Sequence, residues 1–195
     1  RPTSSAATAF APAGAELLYE NVDWKPAQDG RLTEALYEAY SLQSVRIEGA
    51  RPHPTRLVQS AAMASVAPPK PTYRPRQLAN VVTDGLLSDA QLESVIYAGE
   101  AHSDHLAGSW LVDETFDVVS AAPDGAEKAV RFRRGWMLGD GTGAGKGRQV
   151  AGILLDNWLQ GRQRAVWISK SDKLIEDAQR DWSALGMERL LVTPL

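Results

Sequence analysis

A glycine-rich loop carries the residue types and spacing in this sequence that suit a chemical task. Every second residue from Gly139 to Gly147 is a glycine, and Lys146 lies near the end of the run. Closely spaced glycines let successive backbone N–H groups point at one anion, and a helix that begins behind them adds partial positive charge. The lysine supplies a mobile ammonium for the outer phosphates of a nucleotide. The residues predicted to bind phosphate are Gly141, Thr142, Gly143, Ala144, Gly145, Lys146, Gly147 and Arg148.

Two positions of this loop depart from the common phosphate-loop pattern. That pattern has Ser or Thr directly after the lysine, where the hydroxyl holds Mg²⁺, but here Gly147 follows. Thr142 is the nearest hydroxyl, and the sequence leaves open whether it replaces the missing one. Asp140 stands where the pattern has its first glycine. The competing interpretation, a glycine-rich turn that binds nothing, explains five glycines and a lysine less well.

The elements around the loop are those expected for this function. Strands are predicted at residues 135–138, 164–169 and 190–192, and helices at residues 145–159 and 173–185. Gly161 and Gly186 end the two helices, and Ser171 or Asp172 caps the second one. Strand and helix alternate in short succession, which predicts a parallel sheet with right-handed crossovers.

The sequence before the loop predicts a helix and a hairpin. Ser88 and Gln91 form a capping box at the start of a helix that runs to about His102. Two strands are predicted next, at residues 110–122 and 129–138, joined by a turn at Pro123-Asp124-Gly125.

We divide the chain into three parts. Residues 1–15 are predicted to be a disordered-like tail, and residues 16–85 a Pro-rich extension with short helices, near 31–40 and 57–65. Residues 86–195 are predicted to be the N-terminal part of a P-loop NTPase lobe. The fold class predicted is α/β, with a P-loop NTPase-type parallel sheet and flanking helices, preceded by a β-hairpin and the Pro-rich extension.

Composition excludes several classes of site. The chain has 195 residues, of which 44% are hydrophobic and none is cysteine, so disulfides, thiolate zinc sites and cysteine nucleophiles are excluded. His102 and His105 could share a helix face, but zinc needs three or four ligands, and polar surface residues are the better interpretation. The sequence shows neither an apolar run of membrane-spanning length nor a secretory signal, so we expect a cytoplasmic protein. The start at Arg1 indicates a segment of a larger protein.

Charge is distributed unevenly along the chain. Residues 128–170 include nine Lys and Arg residues and only two acidic residues. Their net charge is therefore +7, in a chain whose total charge is −3. Such a basic field suits a phosphate-bearing partner. The charges alone would be equally compatible with a solvated surface that has no partner. Because the glycine loop lies inside this window, a phosphate-bearing partner is favoured.

Hydrolysis requires a carboxylate pair at the end of a later strand, and no such pair follows the loop in this sequence. Asp113-Glu114 precedes the loop and lies in the predicted hairpin, and Asp156 lies inside the helix of the loop itself. The sequence therefore predicts that this chain binds a nucleotide but does not hydrolyse it by itself.

The loop and the elements after it resemble the start of the NTPase domain of the strawberry notch family, whose members are helicase-like proteins related to superfamily 2. The stretch that carries the resemblance is GDGTGAGKGRQVAGILLDNWLQGRQRAVWISKSDKLIEDAQRDWSALG. The Gly147-Arg148 ending of the loop is itself a mark of that family. Upstream, HPTRLVQSAAMASVAPPKPTYRP and LLSDAQLESVIYAGEAH resemble bacterial, plasmid and phage members, so the resemblance runs from about Tyr40 to Leu195. Many such members carry an adenine-specific DNA methyltransferase-like region, and some resemble antirestriction proteins. In the family the Asp-Glu motif and a second motor lobe come later in the chain.

The resemblance implies roles for further residues. In superfamily 2 motors a glutamine comparable to Gln91 reads the adenine edge, whereas the alternative is that Gln91 only closes the capping box with Ser88. The segment Ser169-Lys170-Ser171 corresponds to a place where related motors contact the nucleic-acid backbone. The alternative is that Ser171 only caps the helix that follows it. Arg148 is expected either to contact a phosphate or to pair with an acid of the sheet.

The function predicted is that of a fragment of an ATP-dependent helicase-like NTPase. Its cofactors would be ATP and Mg²⁺, and the full-length parent would remodel or move on DNA. The remaining lobes of the parent would be further partners. The alternative is a nucleotide-binding or structural docking module without motor activity.

Overall fold

The computed structural model describes residues 14–25, 36–188 and 191–194. The elements in chain order are β1 (Ala15–Glu16), β2 (Tyr19–Asn21), β3 (Tyr37–Ala39), β4 (Val45–Ile47), β5 (Val58–Ser60), α1 (Ala61–Ala64), β6 (Arg76–Gln77), α2 (Ala79–Thr83), α3 (Asp89–Ser103), β7 (Trp110–Val112), β8 (Val119–Ala121), α4 (Lys146–Leu159), and α5 (Ile175–Ser183), which follows a 3₁₀ turn at Asp172–Leu174. The predicted tail falls mostly on residues 1–13, outside the described residues.

Helices α3, α4 and α5 form the centre of the structure. α4 packs between α3 and α5 as their shared neighbour and also contacts β6. Their facing side chains are buried together with apolar residues of the Pro-rich segment, and this core contains Leu17, Tyr19, Val45, Ile47, Leu78, Val81, Leu87, Leu92, Val95, Ile96, Ala151, Leu155, Trp182, Leu185 and Met187. Each large apolar side chain buried in this way contributes about 1.5–3 kcal/mol. Trp158 meets Trp182 edge to face, with ring centroids 5.8 Å apart, which joins α4 to α5.

The helices predicted around the loop are confirmed. α3 begins at a complete capping box: Ser88 Oγ accepts the N–H of Gln91, and the Gln91 side chain accepts the N–H of Ser88. α4 ends before Gly161, which adopts a positive φ of 89° as predicted for a helix-ending glycine. α5 begins later than predicted, because residues 172–174 form a 3₁₀ turn first.

The predicted parallel sheet is not found in the described structure. Its β-sheets are four two-stranded pairs, all antiparallel: β1 with β6, β2 with β4, β3 with β5, and β7 with β8. Residues 135–138 and 164–169 belong to no strand, and neither do Leu191 and Val192, whereas Leu190 lies outside the described residues. Parallel strands are stable when both faces of their sheet are covered, but Ile168 is 88% exposed here. The apolar pattern therefore predicted strands that do not form in the described structure, since a strand requires a neighbouring strand with which to pair.

The hairpin forms, but its turn differs from the prediction. β7 and β8 both lie inside residues 110–122, which were predicted as one strand. The chain reverses after Asp113, whose carboxylate accepts the Val118 N–H at 3.0 Å and the Thr115 hydroxyl at 2.5 Å. Phe116 adopts a positive φ of 64° in that turn. Residues 129–138 form only isolated bridges, one between Val130 and Trp110 of β7 and one between Arg133 and His105, which precedes β7.

Two helix predictions in the Pro-rich extension need correction. Residues 37–39, predicted as helix, form β3, which pairs with β5 through Tyr37 and Ser60; residues 31–35 lie outside the described part. Cross-strand pairing outweighs the helical period of so short a segment. Of the helix predicted near 57–65, only α1 forms, with Ser60 as its N-cap.

Asp156 of α4 connects this helix to the Pro-rich extension. Its carboxylate is 1% exposed and accepts hydrogen bonds of 2.6 Å from the Tyr73 hydroxyl, the Arg76 N–H and the Gln160 side chain. Burial and the bond to Asp156 raise the pKa of Tyr73 to about 12. Asp156 lies inside α4, as predicted, and these bonds give it a structural role there. No helix in the described ranges is long and apolar enough to cross a membrane.

Candidate functional site

The glycine-rich loop leads directly into the N-terminus of α4. Gly145 is the N-cap, in the left-handed conformation at φ 72° and ψ 45°, and no side chain of the described residues caps the helix. Only glycine adopts this conformation without strain, and an uncapped first turn presents free N–H groups and the positive end of the helix dipole. Gly141, Thr142 and Gly143 are exposed. The start of α4 is therefore open to an anion.

The Lys146 side chain folds back over the loop. Its ammonium Nζ donates to the carbonyl oxygen of Asp140 at 2.7 Å and to that of Gly141 at 3.0 Å. Both acceptors are neutral, and a phosphate oxygen with its negative charge is a stronger partner for an ammonium. The lysine is thus held above the loop by bonds that a phosphate could replace.

Gln91 joins α3 to the loop. Its side-chain oxygen Oε1 accepts the Ser88 N–H at 3.0 Å, while its amide nitrogen Nε2 donates to the carbonyl of Ala144 at 3.1 Å. The residue is 8% exposed, and a Cβ at Gly145 would lie only 2.5 Å from Nε2. The capping box predicted for Gln91 is confirmed, and the adenine contact stays a prediction.

Gln149 is a site residue that the sequence analysis did not identify. Its amide nitrogen Nε2 donates to Asp140 Oδ2 at 2.8 Å and to the Ala144 carbonyl at 3.2 Å. The side chain is buried, and its oxygen Oε1 has no hydrogen-bond partner among the residues that the structure describes. The available signal was a glutamine one turn after Lys146, at a position of α4 that is buried together with Ala151 and Leu155. Gln149 ties the first half of the loop to the helix behind it.

Gly147 and Arg148 both contact Asp181 of α5. The Arg148 guanidinium donates through Nη1 to the Leu86 carbonyl at 3.2 Å, and its Nε lies 3.7 Å from Asp181 Oδ1. Of the two roles considered for Arg148, the structure shows pairing with an acid, although this acid belongs to a helix and not to a sheet. A Cβ added at Gly147 would overlap Asp181 Oδ2 and lie 3.2 Å from Asp181 Cγ. No local pattern could identify Asp181, because it lies 34 residues after Gly147 in the sequence.

Glu93 is a buried acid on α3, two residues after Gln91. It is 8% exposed. Burial raises the pKa of Glu93 to about 8, and the negative charge of Asp140 adds to this effect. The Glu93 carboxyl is therefore largely protonated at neutral pH.

The residues proposed for nucleic-acid contact lie on the segment between α4 and α5. Ser169 and Lys170 are exposed, whereas Ser171 Oγ accepts the Lys173 N–H at 3.3 Å and caps the 3₁₀ turn. Ser169 and Ser171 line a groove of about 550 Å³ that also contains Trp158 and Trp182. Residues 139–148 do not line this groove, so it is separate from the phosphate loop.

Comparisons with known proteins give the family of this chain. Protein strawberry notch of Drosophila melanogaster is 40% identical over 143 residues, which cover 73% of this chain and 7% of that protein. Protein strawberry notch homolog 1 of Gallus gallus is 38% identical over 143 residues, which are 73% of this chain and 10% of the relative. Protein FORGETTER 1 of Arabidopsis thaliana is 35% identical over 144 residues, which are 74% of this chain and 9% of the relative.

The extent of these matches limits what they show. The chain spans only about a tenth or less of the length of these relatives, and they come from animals and a plant, so they do not support the narrower resemblance to bacterial, plasmid and phage members. No solved structure matches the chain significantly. The family described as P-loop containing NTP hydrolase pore-1 matches residues 52–195, which include the glycine loop, Gln91 and Asp181. Since this match covers well over half of the sequence, the chain belongs to the P-loop containing NTP hydrolase pore-1 family.

Proposed function

We propose that this chain binds ATP through residues 139–148 and forms the first part of a helicase-like NTPase lobe in its parent protein. The observation that carries the proposal is the position of Lys146, held over an uncapped helix N-terminus by two backbone carbonyls. An ammonium, free N–H groups and a helix dipole that converge on one point favour a polyphosphate. Gln91 and Gln149 hold the loop in this shape from two helices.

The residues around the loop are compatible with Mg²⁺ bound together with a nucleotide. Magnesium prefers oxygen ligands, and proteins often supply only one or two carboxylates while phosphates and water complete the shell. Within the described ranges no three His, Asp or Glu side chains converge on a metal-sized space, so phosphate oxygens would supply much of the coordination. Asp181 is the carboxylate beside the residue that follows the loop lysine. The ion would neutralise phosphate charge and orient the outer phosphates.

Nucleotide binding without hydrolysis by this segment is the second candidate, and two observations favour it. Asp113 closes the turn of the β7–β8 hairpin, and Asp156 is bound to the Pro-rich segment. Both acids are engaged in structural roles, and neither forms the Asp-Glu pair that positions the attacking water in motors of this class. Hydrolysis and movement on DNA would then belong to the longer parent chain.

A nucleic-acid contact is the remaining part of the proposal. Ser169 and Lys170 are exposed at the end of the basic window between residues 128 and 170. Short hydroxyls and an ammonium suit the phosphate oxygens of a nucleic-acid backbone. We propose this segment as the place where the parent protein contacts DNA.

Calorimetric titration of ATP with Mg²⁺ into the chain and into Lys146→Ala tests the nucleotide site. We expect binding by the original chain and a loss of about 10- to 100-fold in the variant, because a charge-assisted hydrogen bond contributes roughly 1.5–3 kcal/mol. Lys128→Ala is the matched control, since it removes an exposed lysine of the same basic window outside the loop. Equal affinities of the Lys146 variant and the original chain would contradict the proposal.

A further inference from the structure

The space beside Gly147 is occupied by a carboxylate. Residue 147 directly follows the loop lysine, where the common phosphate-loop pattern has a hydroxyl for Mg²⁺. A side chain at this position has no room, because a Cβ would overlap Asp181 Oδ2 and lie 3.2 Å from Asp181 Cγ. A carboxylate oxygen of α5 therefore lies beside the residue that follows the loop lysine.

We propose that Asp181 is the protein ligand of the Mg²⁺ that accompanies the nucleotide, in place of the Ser or Thr hydroxyl that this loop lacks. The inference rests on the proposed nucleotide site. A carboxylate oxygen is a preferred ligand of magnesium, and Asp181 Oδ2 lies where a side chain of residue 147 would begin. The distinctive glycine after Lys146 is then required, because a larger residue would displace this carboxylate.

The charges around Asp181 are consistent with this role. The side chain is 15% exposed, and its other oxygen, Oδ1, lies 3.7 Å from Arg148 Nε and 3.8 Å from Arg180 Nε. Both distances are long for hydrogen bonds, and within the described part of the chain Arg148 Nε has no hydrogen-bond partner. The two arginines therefore orient the carboxylate without consuming Oδ2. Without a cation, the Asp181 carboxylate would repel the phosphates; with Mg²⁺ between them, both become ligands of the same ion.

The first experiment compares ATP affinities in excess Mg²⁺ and in EDTA for the original chain and for Asp181→Asn. In the original chain we expect tighter binding with Mg²⁺ than in EDTA. In the variant we expect binding in Mg²⁺ to weaken by about tenfold or more, while binding in EDTA stays equal or improves because a negative charge is lost. Binding in EDTA also shows that the variant is folded. Glu176→Gln, which removes an exposed acid from the same helix, should leave both affinities unchanged.

The second experiment restores a ligand from the usual position. Asp181→Ala opens the space beside residue 147, so the double variant Gly147→Ser/Asp181→Ala should recover the Mg²⁺ advantage that Asp181→Ala loses. Electron paramagnetic resonance of Mn²⁺ titrated into the chain with ATP gives a direct readout: ATP-dependent uptake of Mn²⁺ should fall in Asp181→Asn and return in the double variant.

Two results would overturn the inference and separate its failure from that of the proposed function. An unchanged ratio of Mg²⁺ to EDTA affinities in Asp181→Asn would refute the role of Asp181 and leave the nucleotide site intact. An original chain that binds ATP in neither buffer would refute the nucleotide site, and the metal role with it.

Discussion

Gln91 combines the capping-box role predicted from the sequence with a contact to the glycine loop that the sequence did not predict. The glutamine closes a capping box with Ser88 and at the same time donates to the Ala144 carbonyl of the loop. Because both ends of its amide are engaged within the protein, the side chain positions the loop in this structure. To read an adenine edge, Gln91 would have to exchange at least one of these bonds for a bond to the base.

The ratio of ATP affinity to GTP affinity distinguishes a loop-positioning role of Gln91 from a contact with adenine. If Gln91 acts by positioning the loop, Gln91→Ala should weaken ATP and GTP to a similar degree, by several-fold for about 1 kcal/mol per lost hydrogen bond. Gln59→Ala, which removes a glutamine paired with Glu38 in the β3–β5 sheet, is the control and should change neither affinity. Competition titrations with the two nucleotides measure the ratio. A loss confined to ATP would support the adenine contact instead.

At the scale of elements, the segment between α4 and α5 shows that a strand-like residue pattern does not by itself lead to strand pairing. Residues 164–169 have the apolar, β-branched composition of a buried strand, and yet Val166 is 70% exposed and belongs to no sheet in the structure. The polar end of the same segment, Ser169 and Lys170, is exposed as well. The segment is therefore accessible to a partner along its length.

Binding of a fluorescently labelled single-stranded DNA, followed by anisotropy, tests the role of this segment. Lys170→Ala should weaken binding and reduce the slope of log affinity against log salt by about 0.7, the value for one phosphate contact on a single strand. The control is Lys128→Ala, with the same loss of charge at the other end of the basic window. Equal effects of both substitutions would indicate a diffuse electrostatic attraction without a specific contact at Lys170.

At the scale of the whole molecule, the burial of Glu93 couples stability to pH. The pKa of this carboxyl is raised from 4.5 to about 8 in the folded protein. Between these two values the folded state holds a proton that the unfolded state has lost, so the free energy of unfolding decreases as pH rises through this range. The stabilising contribution is complete below pH 4.5 and is lost as pH approaches and passes 8.

Glu93→Gln should remove this dependence. We expect the variant and the original chain to differ little in stability at pH 4.5, and the variant to become more stable by up to a few kcal/mol at pH 9, since one pKa unit corresponds to about 1.4 kcal/mol. Denaturant unfolding at several pH values measures the difference. The exposed Glu127→Gln control should show a constant difference from the original chain. A constant difference for Glu93→Gln as well would contradict the buried, protonated state of this acid.

The sequence by itself determined the elements whose signals are local. Alternate glycines before Lys146 are sufficient to predict the loop and the start of α4, and Ser88 with Gln91 predicts the start of α3, because capping and backbone conformation depend on residues only a few positions apart. The sequence was also sufficient to indicate the family, because the loop and the helix after it carried the resemblance.

The tertiary structure alone decided which distant side chains meet at the loop and which strands pair. Asp181 reaches Gly147 and Gln91 reaches Ala144 only because α3, α4 and α5 pack together, and no spacing in the sequence encodes that packing. The β7–β8 turn likewise depends on the Asp113 carboxylate, which accepts the Val118 N–H and so closes the chain within a run that looks like one strand. Strand pairing and side-chain contact are long-range properties, because they depend on what the rest of the fold places nearby.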